Sequence, residues 1–168
     1  MPAARRARSV DAILRDARAL AVEYYALTGR PLGVTAEVAE YEAVERLGLT
    51  LADARTAGYD ALRVAPDGSV QRVQIKGRRL ITEKSGGRMP AINLKHDFDS
   101  VVLVELDEWY EPVVIWEADR ADVERRLTAP APDGGISKSR NLRGQMAVSQ
   151  FRTVARRVWS APAGERIT

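Results

Sequence analysis

Apolar positions along this chain change period several times, and each change marks an element. Val10, Leu14, Ala17, Ala21 and Tyr24 recur at helical spacing. They predict a helix over residues 9–28 with Ser9 as N-cap and Thr28-Gly29-Arg30-Pro31 as its stop. A second helix is predicted after Gly33, from Thr35 as N-cap to about Leu47, where Gly48 ends it. On a helical wheel Leu47, Val44 and Tyr41 define its apolar arc, with Glu37 and Glu40 inside the arc and Glu42, Glu45 and Arg46 outside. Carboxylates on a buried stripe are costly unless they meet a cation, a metal or hydrogen-bond donors. The alternative is that they flank the arc, one salt-bridged and one snorkelling.

Strand-like patterning follows. Leu49 to Thr56 reads as a short strand or a helical turn, and Gly58 to Lys76 reads as two strands joined at Pro66-Asp67-Gly68. A three-residue loop with Gly68 in the left-handed region makes Ala65 face Ser69, Val64 face Val70, Leu62 face Arg72 and Asp60 face Gln74. Asp60, Gln74 and Lys76 then share one face, and the mostly apolar Tyr59, Ala61, Val73 and Ile75 face the core. Residues 77–97 read as a basic loop or distorted hairpin carrying Arg78, Arg79, Lys84, Arg88 and Lys95. These cations either are solvated or contact a phosphate backbone. His96, the single histidine, is read as structural or as a peripheral substrate contact. Val101 to Val104 is continuously apolar, as in a strand covered on both faces, and Pro112 to Trp116 gives another strand. A short helix after Asp119 ends near Leu127, residues 129–141 form a flexible stretch, and a last helix is expected from Ser149 to about Trp159. That helix would bury Phe151, Val154, Ala155 and Val158 and leave Arg152 and Arg156 to solvent or phosphate.

The domain organisation read from these elements is an N-terminal helical extension (1–33), a core (34–128), a flexible loop (129–145) and a C-terminal helix packing on the core (146–168). A chain of 168 residues can bury a core without metal or disulfide staples. No cysteine is present, which excludes disulfides and thiolate metal sites, and one histidine argues against a His-based metal site. No apolar run approaches the ~18 residues of a membrane span, and the basic first residues lead into no signal-like apolar stretch. A soluble, cytoplasmic protein without membrane partners is expected. Net charge is only +3, so local charge is more informative than the total. Of the 26 basic residues 22 are Arg, which makes Lys76 one of only four lysines.

Chemistry concentrates in one constellation: a helix with inward carboxylates, then Asp60, then fourteen residues later Gln74-Ile75-Lys76 on the next strand. Phosphodiester hydrolysis asks for an oxygen-ligand cage for Mg²⁺, an activated water, and a cation for the charge developing on the phosphate. Asp60 would be a direct or bridging ligand, Glu37 or Glu40 a second carboxylate, Gln74 and the Ile75 main-chain carbonyl further oxygens, and Lys76 the cation.

This arrangement resembles the restriction-endonuclease-like PD-(D/E)XK superfamily over roughly Val34 to Ala118, and its GYDAL, VQIKGRR, TAEVAEYEA and VSQF segments look similar to small bacterial families within it. The resemblance implies an α/β fold with a central mixed β-sheet flanked by helices, carrying N- and C-terminal helical extensions. It also implies Mg²⁺ or Mn²⁺ as cofactor and DNA as partner, with a homodimer if both strands are cut. Two departures from the pattern stand out: Tyr59 replaces the usual proline before Asp60, and Gln74 replaces the usual acid, removing one negative charge. The alternative reading is a catalytically weakened nucleic-acid-binding or interaction module of a defence or mobile-element system. A third is an interaction subunit whose hairpin residues form an ordinary surface salt-bridge set.

Overall fold

The structure is a computed structural model that describes residues 8–80, 87–129 and 144–162. The chain divides into two compact units, 1–34 and 35–168.

In the first unit, helix α1 (Val10–Thr28) begins where Ser9 Oγ accepts the amide of Ala12 at 3.2 Å. It ends where Gly29, at φ 66°, returns its N–H to the Tyr25 carbonyl at 2.8 Å.

The second unit is an α/β layer structure. Its elements are α2 (Thr35–Leu47), β1 (Thr50–Leu51), β2 (Ala61–Val64), β3 (Val70–Arg79), β4 (Ser100–Leu106), β5 (Pro112–Asp119), α3 (Arg120–Thr128), α4 (Val148–Arg152) and β6 (Arg156–Ser160). The six strands form one mixed sheet in the order β1-β2-β3-β4-β5-β6, antiparallel throughout except for the parallel pair β3/β4. Among the described residues no helix is long and apolar enough to cross a membrane.

The β2–β3 hairpin follows from its turn. Gly68 takes φ 83°, Ala65 and Ser69 close the loop at 2.9 Å, and Asp67 Oδ1 accepts the Ser69 amide and hydroxyl at 2.9 and 2.7 Å. Val64 then pairs with Val70, and Leu62 with Arg72, in the register the turn predicts. The ladder stops at Ala61–Val73, so Asp60 stands just beyond the last paired residue instead of directly opposite Gln74.

Strand β4 is buried along its whole length, because both faces of the sheet are covered. Over one face lies α2, close enough at Gly77 that a β-carbon there would stand 2.7 Å from both Ala39 Cβ and the Thr35 carbonyl oxygen. The other face carries the larger core: Val101, Leu103 and Ala118 from the sheet, Val123 and Leu127 of α3, Phe151 of α4, and Met89, Ile92 and Phe98 from the β3–β4 connection. Arg120 holds that connection in place. Its guanidinium donates to the carbonyls of His96 (2.6 Å) and Leu94 (2.7 Å) and stacks on the Phe98 ring. Gly144 and Ile92 approach so closely that a side chain at 144 would collide with the Ile92 carbonyl, and the Ile92 amide donates to the Gly144 carbonyl at 2.8 Å.

Two sequence expectations are corrected. The last helix does not run from Ser149 to Trp159: α4 stops at Arg152, and residues 156–160 form β6, pairing with β5 from Glu117–Arg156 to Val114–Ser160. The apolar spacing over 151–158 is local, whereas the open edge of β5 offers a ladder of main-chain hydrogen bonds that a short helix cannot match. The buried stripe of α2 is Val38, Ala39, Glu42 and Ala43, while Tyr41, Val44 and Leu47 are only half-buried. Glu42, placed outside the arc, is therefore inside it, and Arg46 Nε meets its carboxylate at 2.9 Å.

The sheet also buries two charges of its own. Glu105 is 1% exposed and receives both Nε and Nη2 of Arg152; Glu117 is 3% exposed and receives Arg63 (2.6 Å), Arg156 (3.1 Å) and Ser100 Oγ (3.0 Å). Burial pushes the Glu117 carboxyl up, but the hydrogen bonds from Arg63, Arg156 and Ser100, with the Arg63 charge, hold it below its ordinary value. A depressed carboxylate contributes stability that is present above its unfolded-state value and lost as pH falls through its folded value. Glu117→Gln should thus lower the urea midpoint at pH 7 and narrow the gap to wild type by pH 3. Parallel curves at both pH values would show that the network contributes nothing to acid sensitivity.

Candidate functional site

At Asp60 the β2–β3 hairpin opens. The Asp60 amide donates to the Val73 carbonyl at 2.9 Å, and one carboxylate oxygen, Oδ2, accepts the Ile75 amide at 2.6 Å in place of a strand carbonyl. The side chain is thereby fixed against β3 while its other oxygen takes no hydrogen bond among the described residues. Beside it Gln74 is 5% exposed; its Nε2 donates to the Gly58 carbonyl at 3.0 Å, which orients the amide and leaves Oε1 buried with no hydrogen-bond partner. A buried acceptor without a donor is costly, and its natural complement is a donor or a cation. Lys76 follows two residues later, half-buried, with its backbone paired to Leu103.

Helix α2 brings its carboxylates to the same place. Burial pushes the Glu40 carboxyl above its ordinary value, the charges of Asp60 and Glu37 push the same way, and Lys76 opposes them without reversing the shift. Burial likewise pulls the Lys76 ammonium below its ordinary value against the attraction of Asp60 and Glu40. Asp60, Glu40, Glu37 and Lys76 are therefore one electrostatic group with more carboxylates than cations. Glu40 is half-buried toward it and Glu37 is exposed, so Glu40 is the closer partner. Gly77, which sequence reasoning did not single out, lets α2 come this near: its missing β-carbon is the space Ala39 and Thr35 occupy. A glycine inside a strand pattern was the available signal.

Among the described residues no group of three or more His, Cys, Asp or Glu forms a metal cluster. A divalent cation here would rest on Asp60, Glu40 and neutral oxygens: Gln74 Oε1 and the Ile75 carbonyl. The orphaned Gln74 oxygen and the excess of negative charge fit such a group. No protein-family model matches the chain, and no curated protein is detectably similar to it. What can be said of its chemistry therefore rests on these side chains.

The remaining sequence candidates have separate fates. Lys84 lies outside the described residues. Arg88 and Lys95 are exposed. Arg78 packs into the space left by the missing side chain of Gly87. Arg79 donates to the Glu108 carbonyl at 2.6 Å and stacks over the Tyr110 ring. Arg152 and Arg156, read as candidate phosphate contacts, pair with the buried Glu105 and Glu117, Arg152 from a partly exposed and Arg156 from a largely exposed position. The sequence could not show this, because their partners lie 47 and 39 residues away. His96 sits against Gly58, where an added β-carbon would meet His96 Cβ at 2.7 Å, and its carbonyl is held by Arg120.

Proposed function

We propose that this chain is a divalent-metal-dependent DNA endonuclease of the restriction-endonuclease-like kind. The observation that carries the reading is the buried, unpartnered Gln74 oxygen beside a carboxylate pair and a half-buried lysine. Asp60, Glu40, Gln74 Oε1 and the Ile75 carbonyl would hold Mg²⁺ or Mn²⁺. When bound, that ion supplies charge neutralisation at the phosphate and an acidified water. The chain's own residues do the rest. Asp60 keeps one oxygen directed by the Ile75 amide, so its free oxygen has little rotational freedom to lose on binding a ligand. Gln74 is held by Gly58 in the orientation that presents its carbonyl oxygen. Lys76, poorly hydrated, places a cation where negative charge accumulates on the phosphate, and a weakly solvated ammonium acts more strongly there than in water.

The neutral Gln74 leaves one carboxylate fewer than an acid at that position would provide, so the metal requirement should be in the millimolar range. Supercoiled plasmid incubated with the purified protein is expected to be nicked with Mg²⁺ or Mn²⁺ and to stay intact in EDTA. One site cuts one strand, so nicked circles should precede linear product. Plasmid that stays supercoiled under all metals, with DNA still bound, would replace this reading with the binding-module alternative.

A further inference from the structure

The loop that leads into Asp60 holds one residue in an unfavourable conformation. Arg55 has φ 68°, a left-handed backbone in which a β-carbon crowds the chain and which glycine or asparagine occupies more readily. It is the third residue of a four-residue turn closed by Thr56, whose amide and hydroxyl both donate to the Asp53 carbonyl at 3.1 and 2.7 Å. The loop is held at its base by the Ala52 amide on the Asp60 carbonyl at 2.9 Å. Near its end Gln74 Nε2 holds the Gly58 carbonyl, and Gly58, at φ 97°, lies against His96 and Asp97. Both anchors of the loop are thus the residues of the candidate site itself.

Arg55 is exposed and takes part in no hydrogen bond, ion pair or ring contact among the described residues. Arg63, Arg72, Arg120 and Arg152 are each held by a carboxylate or a carbonyl, and among the exposed arginines of the described residues Arg55 is the one carried on a turn tied to Asp60. A fold that needed only a turn here would be served as well by glycine. An arginine displayed on a turn fixed to Asp60 and Gln74 suits a ligand whose negative charge extends past the reacting group. A nucleic-acid strand is such a ligand, because each phosphate is followed by another within an arginine's reach.

We propose that Arg55 contacts a DNA backbone phosphate next to the one that Lys76, with a divalent cation on Asp60, would hold. This rests on the nuclease reading of the site and extends it to a residue outside the metal-binding set. Binding of a fluorescein-labelled duplex of arbitrary sequence, followed by anisotropy with Ca²⁺ in place of Mg²⁺ from 50 to 200 mM salt, separates the two. Arg55→Gly and Arg55→Gln should bind about 3- to 10-fold more weakly at 100 mM salt. The slope of log affinity against log salt should be shallower by about 0.9, the value of one phosphate contact. Arg55→Lys should stay near wild type, since it keeps the charge. Arg55→Gly should also raise Tm by roughly 2–4 °C through relief of the left-handed backbone.

Gly and Gln variants that bind as wild type with an unchanged slope would overturn the contact while leaving the nuclease reading intact. So would a Lys variant as weak as the Gln variant. Wild-type protein that fails to bind the duplex even at 50 mM salt would overturn the DNA-directed reading, and the Arg55 contact with it.

Discussion

Asp60→Asn and Lys76→Met are each expected to slow plasmid nicking by at least about 10²–10³-fold, the usual consequence of removing a charge that stabilises a transition state. The two should differ in stability. Asn keeps an oxygen for the Ile75 amide, so the local hydrogen bond survives and the melting temperature should change little. Lys76 is a different case, because its ammonium is held below its ordinary value by burial: the charged form is less favourable folded than unfolded. The sign follows from linkage. A lysine depressed in the folded state penalises the fold at neutral pH, and the penalty disappears as pH rises past the unfolded value. A methionine of similar shape removes that penalty, so Lys76→Met should melt at or above the wild-type temperature while losing activity. Initial nicking rates and thermal unfolding on the same preparations check both halves. A Lys76→Met protein that nicks at the wild-type rate would remove Lys76 from the chemistry.

The second large effect concerns stability. Arg152→Ala strips the buried Glu105 of the guanidinium that binds it through two nitrogens. Removing one partner of a buried pair costs about 3–5 kcal/mol, because the remaining charge has neither water nor counterion. Arg152 is itself partly exposed, which puts the expectation toward the lower end. Replacing both residues, as Glu105→Met with Arg152→Leu, should recover most of the loss, since a well-packed apolar pair is often as stable as the ion pair it replaces. Urea unfolding of the single and double variants measures this. A single variant that unfolds at the wild-type midpoint would mean that Glu105 finds another donor. The same experiment separates a structural arginine from a phosphate contact, which would affect DNA binding and leave the midpoint alone.

Legibility in the sequence followed the range of the interactions involved. The β2–β3 register was readable because Pro66, Asp67, Gly68 and Ser69 settle it among themselves. Strand β4 was readable because burial on both faces leaves a run of apolar residues with no alternation. The grouping of Asp60, Gln74 and Lys76 with a glutamate of α2 was readable as spacing. What was not readable is how they meet. The Asp60 carboxylate takes over an amide of the neighbouring strand, and that depends on where the ladder breaks. The orientation of α2 was misread because the sheet, and the absent side chain of Gly77 within it, decides which side of the helix is covered. Strand β6 was hidden for the same reason: its partner is an edge created some forty residues earlier, and local apolar spacing carries no information about that edge.

The close approach of Gly144 to Ile92, with Arg88 bridged to Ala147, has a consequence in time. The connection that covers the Gln74 and Lys76 face is tied to a segment some fifty residues downstream. During synthesis β1 to β5 can pair as each strand emerges, but this face has no closed cover until residue 148 or so has left the ribosome. Pairings of such sequence separation form late, and apolar surface waits exposed until they do. The face of Gln74 and Lys76 thus gains this cover only after β1 to β5 can have paired, while β6 has still to reach the edge of β5.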